Sequence, residues 1–282
     1  MHYLLFTILC SSSIAIILKF NDTKKGEPIV ILAGNYFVAS FTATVLMLFS
    51  ESKRFSIETL VFGCLLGLLF VVSFYIYAKA ISYAGTALAT TSSRLSVIIP
   101  FILSIIIFDE EPGLNQLIGF AFTIITFIFF YFSVKGNHSK DDSIIKYVVL
   151  LAVFIGIGIN DFAMKIFKSW RPAEEEPYFI IFIFSSAFIY SLSYILINKI
   201  KIERQTLIWG LVLGLPNVFS TIFLLAALTF LPAIIVYPLM NIGIIVLTTV
   251  LAFIFWRERP NRWGVFALIV ASLAIYYLSI TS

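Results

Sequence analysis

Val134-Lys135-Gly136-Asn137-His138-Ser139-Lys140-Asp141-Asp142-Ser143-Ile144-Ile145-Lys146 is the longest polar stretch of the chain and lies on the midpoint of its 282 residues. It holds no sizeable apolar side chain between Val134 and Ile144. Apolar runs follow one another on both sides of it. Five precede it, at 2–20, 29–49, 59–80, 85–107 and 114–133, and five follow, at 147–168, 177–197, 206–229, 232–255 and 262–280. A helix needs about 20 apolar residues to cross roughly 30 Å of hydrocarbon, and these runs have that length. A β-barrel would show strands of about ten residues with alternating polarity, whereas these runs are continuous. The sequence predicts an all-α polytopic membrane protein with ten transmembrane helices: a first five-helix repeat over 1–133, a linker over 134–146 and a second repeat over 147–282.

Composition agrees. Hydrophobic residues make up 61% of the chain and charged residues 12%, with 30 Phe and 13 Tyr. A soluble domain averages roughly 45–50% apolar residues, and one of this size lacks the interior to hide the excess. That excludes a soluble enzyme, a nucleic-acid binder and a disordered chain. The net charge of +4 does not reverse this, because the basic residues sit in short clusters between apolar runs. Cys10 and Cys64 lie inside apolar runs and read as packing residues. The first run lacks a basic leader and a small-residue cleavage site, so it reads as a retained span. The connections at 81–84 and 230–231 are so short that each should join its neighbours as a tight antiparallel hairpin.

Sliding the sequence on itself by 147 residues superimposes Gly67 on Gly214, Ala80 on Ala227, Tyr83 on Phe230 and Glu111 on Glu258. The turn Ser82-Tyr83-Ala84-Gly85 falls on Thr229-Phe230-Leu231-Pro232. A carboxylate follows the fourth span of each half, in Phe108-Asp109-Glu110-Glu111-Pro112 and Trp256-Arg257-Glu258-Arg259-Pro260. Gly119 and Gly264 then sit in the following spans. The first spans match more loosely, Ser11-Ser12-Ser13 leading to Lys19 as Asn160-Asp161 leads to Lys165. An odd number of spans per copy inverts the second copy, as in many secondary transporters.

This layout of two times five spans, each with a Glu closing its fourth span, resembles the drug/metabolite transporter superfamily in its EamA-like ten-helix branch. The resemblance covers nearly the whole chain. It is clearest from Gly210 to Leu278, through Ala226-Ala227-Leu228, Leu231-Pro232-Ala233, Glu258 and Gly264. Arg94 departs from it, standing where that family more often has an uncharged small or polar residue. The resemblance implies a carrier for small metabolites.

Of 19 basic residues, thirteen fall at the connections after odd-numbered spans, five on the other side, and Arg94 lies within a span. The positive-inside rule therefore places the linker in the cytoplasm and both termini outside. The expected location is the bacterial inner (plasma) membrane.

A charge near the bilayer centre costs at least about 2.5–3.5 kcal/mol, so it calls for a function or a partner. Arg94 sits nine residues into its span. It reads either as a substrate contact or as a brace against backbone carbonyls or a carboxylate. The repeat register sets Asn241 opposite it, and Tyr237, Asn241 and Thr248 share one helical face. In the sixth span Asn160 and Asp161 are candidate ligand or proton sites. The alternative is that Asp161 is neutralised by Lys165 at i+4. Asn35, Asn217 and Tyr75 complete the candidate substrate-binding set; otherwise they are interhelical glue or packing residues. Glu111 and Glu258 read as caps or interfacial ion pairs.

There is no Walker A loop, no catalytic motif and no metal-ligating cluster, so no cofactor is expected. The expected partners are a small-molecule substrate and the lipid bilayer, without nucleic acid, in a monomer or homodimer. The reading is a secondary transporter or facilitator of a small polar organic metabolite, an amino acid or organic acid being favoured by Arg94. It would work by alternating access around a midplane cavity. The alternative is an integral-membrane lipid-modifying enzyme, which the lack of His or Cys beside Glu111 and Glu258 disfavours.

Overall fold

In lipid the backbone must bond to itself, and helices meet that demand within each segment. The computed structural model, which describes residues 1–21, 27–50, 54–134, 144–257 and 260–280, is helical, with no strand among those residues. Residues 135–143 of the linker and Glu258 lie outside the described set. The helices are α1 (His2–Asn21), α2 (Pro28–Leu48), α3 (Ile57–Leu95), α4 (Ile98–Phe108), α5 (Leu114–Val134), α6 (Ile144–Trp170), α7 (Glu176–Ile197), α8 (Arg204–Phe230), α9 (Ala233–Trp256) and α10 (Arg262–Ser279). Nine described stretches are long and apolar enough to cross a membrane, and α1 adds the shorter apolar stretch His2–Leu18. The chain is an integral membrane protein.

Local signals set the ends. Ser56 caps α3 by accepting from the Thr59 N–H, and Asn261 caps α10 by accepting from Gly264. Asp109 and Arg257 end α4 and α9 in the left-handed conformation, with φ of 51° and 56°. Those two caps align at an offset one residue longer than 147. The partner of Glu258 in the other half is therefore Glu110 rather than Glu111.

The expected hairpin at 81–84 is not a break in the helix. Helical backbone runs from Ile57 to Leu95, 39 residues, or about 58 Å if straight, twice the hydrocarbon thickness. It is not straight. The Tyr77 hydroxyl lies 3.1 Å from Thr90 Oγ1, thirteen residues on, a separation of about 20 Å along an ideal axis. The element therefore doubles back between those residues, and 57–81 and 88–108 are two spans. The true interruption comes later, at Ser96–Val97, directly after Arg94. Pro100 explains it: Pro has no N–H for the Ser96 carbonyl, and its ring crowds that oxygen. The Ser96 carbonyl is taken instead by the Ile99 N–H at 2.9 Å. The second hairpin is an ordinary turn, with Leu231 and Pro232 extended between α8 and α9.

The halves interleave. α1 packs on α8 and α9 as α6 packs on α3 and α4; α2 packs on α7 and α8 as α7 packs on α2 and α3; α5 pairs with α10 and α4 with α9. Exchanging each helix with the one five places away returns the same set of pairs. The α2–α8 seam is one of close backbone approach. A Cβ on Gly210 would fall 2.5 Å from the Ile31 carbonyl oxygen, and one on Gly214 would fall 2.6 Å from that of Asn35.

Candidate functional site

Arg94 stands on the last turn before the Ser96–Val97 interruption. Its Nη1 donates to Asn241 Oδ1 at 3.1 Å, joining the first half to α9. Asn241 is buried, and its Nδ2 donates to the Tyr237 carbonyl at 3.1 Å, which fixes the amide with its oxygen toward Arg94. Tyr237 is fully buried and donates its hydroxyl to the main-chain carbonyl of Asp161 on α6. Asp161 lies within electrostatic reach of the Arg94 guanidinium, and the Tyr77 hydroxyl is 3.1 Å from Thr90 Oγ1, one turn before Arg94. The structure thus gathers Arg94, Asn241, Tyr237 and Asp161 from α3, α9 and α6.

Two buried polar atoms in this region have no hydrogen-bond partner among the described residues: Arg94 Nε, a donor, and Asn160 Oδ1, an acceptor. A buried polar group without a partner costs about 1–3 kcal/mol, so a ligand or water that meets both senses would bind favourably.

Other candidates lie elsewhere. Asn217 Nδ2 donates to Asn35 Oδ1 at 3.1 Å across the α2–α8 seam, and the Thr221 hydroxyl donates to the Asn217 carbonyl. Tyr75 accepts from the Tyr194 hydroxyl at 3.3 Å on α7, with Lys79 Nζ 5.4 Å from its ring. Tyr77 is the tyrosine that faces Arg94.

The expected neutralisation of Asp161 by Lys165 gives way to a different pair. Lys165 Nζ lies 2.6 Å from Glu110 Oε1, with both side chains only about a tenth exposed. Glu110 is the residue that sequence reasoning missed. A carboxylate at the end of the fourth span was legible, but the left-handed Asp109 decides which of two adjacent glutamates turns inward.

The face on which α5 ends and α6 begins is the linker face. Toward it, a cavity of about 440 Å³ opens between α1, α5, α9 and α10, lined by Ser133, Thr248, Thr249, Ala252 and Asn261 among others. Thr248 lies two turns along α9 from Asn241. Among the described residues no group of three or more His, Cys, Asp or Glu could hold a metal ion.

Residues 1–132 match the model of the EamA-like transporter family. An uncharacterized protein of Haemophilus influenzae (strain Rd) is 28% identical over 292 aligned residues, covering 99% of this chain and 98% of that one. A protein of known crystal structure aligns with a TM-score of 0.80 at 14% identity, over 98% of this chain and 95% of that one. At that identity the likeness concerns the fold alone.

Proposed function

We propose that this chain, whose residues 1–132 match the EamA-like transporter family, is a secondary transporter or facilitator of a small polar organic metabolite, an amino acid or organic acid. The two interleaved sets of five helices rock about the Arg94–Asn241 contact and expose it to one face at a time. The observation that carries this reading is the contact itself. A permanently charged guanidinium from one half meets a buried amide of the other, and both the Arg94 Nε and the Asn160 Oδ1 are buried without a hydrogen-bond partner among the described residues. A solute carboxylate gives Arg94 a charge-assisted acceptor, and a donor on the same solute meets Asn160 or Asp161. The cavity beside Thr248 is the approach to that pair from the linker face.

The deciding experiment uses purified protein in liposomes without nucleotide. Uptake of a labelled solute, chosen from amino acids and organic acids that raise the protein's thermal stability, supports the reading. Solutes that stabilise the protein but never cross the membrane would refute it.

The charge distribution further proposes that the linker face is cytoplasmic and both termini lie outside. Single cysteines at Ser139 and Ser282, in a chain lacking Cys10 and Cys64, are probed on intact cells with an impermeant thiol reagent. Labelling at 282 alone is expected; labelling at 139 alone would invert the topology.

A further inference from the structure

On the face opposite the linker, one carboxylate ties the end of α4 to both α9 and α6. Asp109, left-handed, reverses the backbone after α4 and carries Glu110 back over the start of α9. There Glu110 Oε1 accepts the Ala233 N–H and Oε2 the Ile234 N–H, each at 3.0 Å. These are first-turn donors that no helical carbonyl can meet, and the positive end of the helix favours an anion. Lys165 of α6 completes the arrangement through its 2.6 Å ion pair, with its Nζ 5.2 Å from the centre of the Phe108 ring. One side chain from the first half thereby fastens two helices of the second.

Its position gives this arrangement consequence. Ile234, Tyr237 and Asn241 lie on one face of α9 at helical spacing, so the fastening sits about 12 Å above Asn241, measured from Ala233. Between them the Tyr237 hydroxyl holds the Asp161 carbonyl. A solute moving from this face to Arg94 and Asn241 would have to separate α9 from Glu110 and Lys165. On the linker face of the same helix there is open volume instead, beside Thr248 and Ala252.

We infer that Glu110, its ion pair with Lys165 and its two bonds to the α9 N-terminus form the latch that holds the face opposite the linker closed, and that opening this face requires Glu110 to release α9. The inference rests on the alternating-access reading above, yet its test needs no substrate. The ion pair alone would leave α9 free to tilt; the amide bonds couple release of Lys165 to movement of the helix that carries Tyr237 and Asn241.

The test measures labelling rates of single cysteines by a water-soluble thiol reagent on detergent-purified protein lacking Cys10 and Cys64. Ile234→Cys reports on the latch, since Ile234 is buried beneath it, and Ala252→Cys reports on the cavity. Ile234→Cys should label slowly and Ala252→Cys rapidly. Adding Glu110→Gln should speed Ile234→Cys at least tenfold and, because the two faces open in turn, slow Ala252→Cys. Adding Lys165→Met, which keeps Glu110 on α9, should speed it by about threefold. If Glu110→Gln speeds labelling at both Ile234→Cys and Ala252→Cys, the protein has lost its fold, and Lys165→Met carries the test alone. Unchanged Ile234→Cys labelling in a variant that keeps the Ala252→Cys rate would overturn the latch. Flux in liposomes is scored separately: labelling that rises while no solute ever crosses would keep the latch and refute the transport reading.

Discussion

Two of the seams between the halves of this molecule are made of different materials. Along α2–α8 the contact is backbone to backbone. Gly210 and Gly214 admit the carbonyls of Ile31 and Asn35, and the one polar pair, Asn35–Asn217, is neutral and satisfied. Along α3–α9–α6 the contact is made by tips of long side chains: Arg94 on Asn241, Tyr237 on Asp161, Lys165 on Glu110. Close-packed backbone cannot part by a small amount without losing its dispersion contacts at once. Side-chain hydrogen bonds can be exchanged for water or solute at small net cost. The first seam is built as a hinge, the second as a door.

The widest consequence falls on the hinge. Gly210→Leu puts a side chain where the Ile31 backbone already lies, and should cost about 3 kcal/mol, the upper end of overpacking penalties. Thermal unfolding in detergent measures it, and a cost below that of any door variant would break the contrast. Next comes Arg94→Gln, which keeps volume but removes the charge. It should raise the solute dissociation constant at least tenfold, about 1.4 kcal/mol, in titrations of the solute that the stability screen selects. Arg94→Lys should recover only part, because the planar fork is lost. Parental affinity in Arg94→Gln would make Arg94 a brace. Tyr237→Phe should cost about 1 kcal/mol of stability, the net worth of one hydrogen bond. Smallest is Asn217→Leu, about 0.6 kcal/mol in the same melt, the average for a polar contact between helices in a membrane. If it exceeded Tyr237→Phe, the hinge would owe its cohesion to polar bonds rather than to close approach.

Much of this was legible beforehand because a bilayer simplifies the reading. Apolar run length alone located the helices to within a few residues, and the repeat offset set Arg94 opposite Asn241, where the structure joins them. What escaped depended on rotation and single-residue register. Tyr75 and Tyr77 stand 200° apart around a helix, so only one can turn to Arg94, and nothing in an all-apolar neighbourhood says which. The i+4 spacing of Asp161 and Lys165 suggested an intrahelical pair. That rule describes solvated helices, whereas the Lys165 amine found a buried carboxylate across the interface. Glu110 was hidden behind Glu111 because the two left-handed caps, Asp109 and Arg257, align at an offset one residue longer than that of the spans before them. The hairpin expected at 81–84 falls within the Tyr77–Thr90 stretch where α3 doubles back; what escaped was the later interruption at Ser96–Val97, which Pro100 makes where no turn is needed.

The interleaving of the halves also bears on how such a chain is made. A ribosome delivers α5 long before α10, its main neighbour, and α1 and α2 before α7, α8 and α9. The early spans must wait in lipid, side by side and largely unmatched, until the last helix arrives. Cutting the gene at the linker should therefore give fragments that are inserted but unassembled. Supplying both fragments in one cell should rebuild the molecule, because the information that joins them lies on helix faces rather than in the thirteen residues between them.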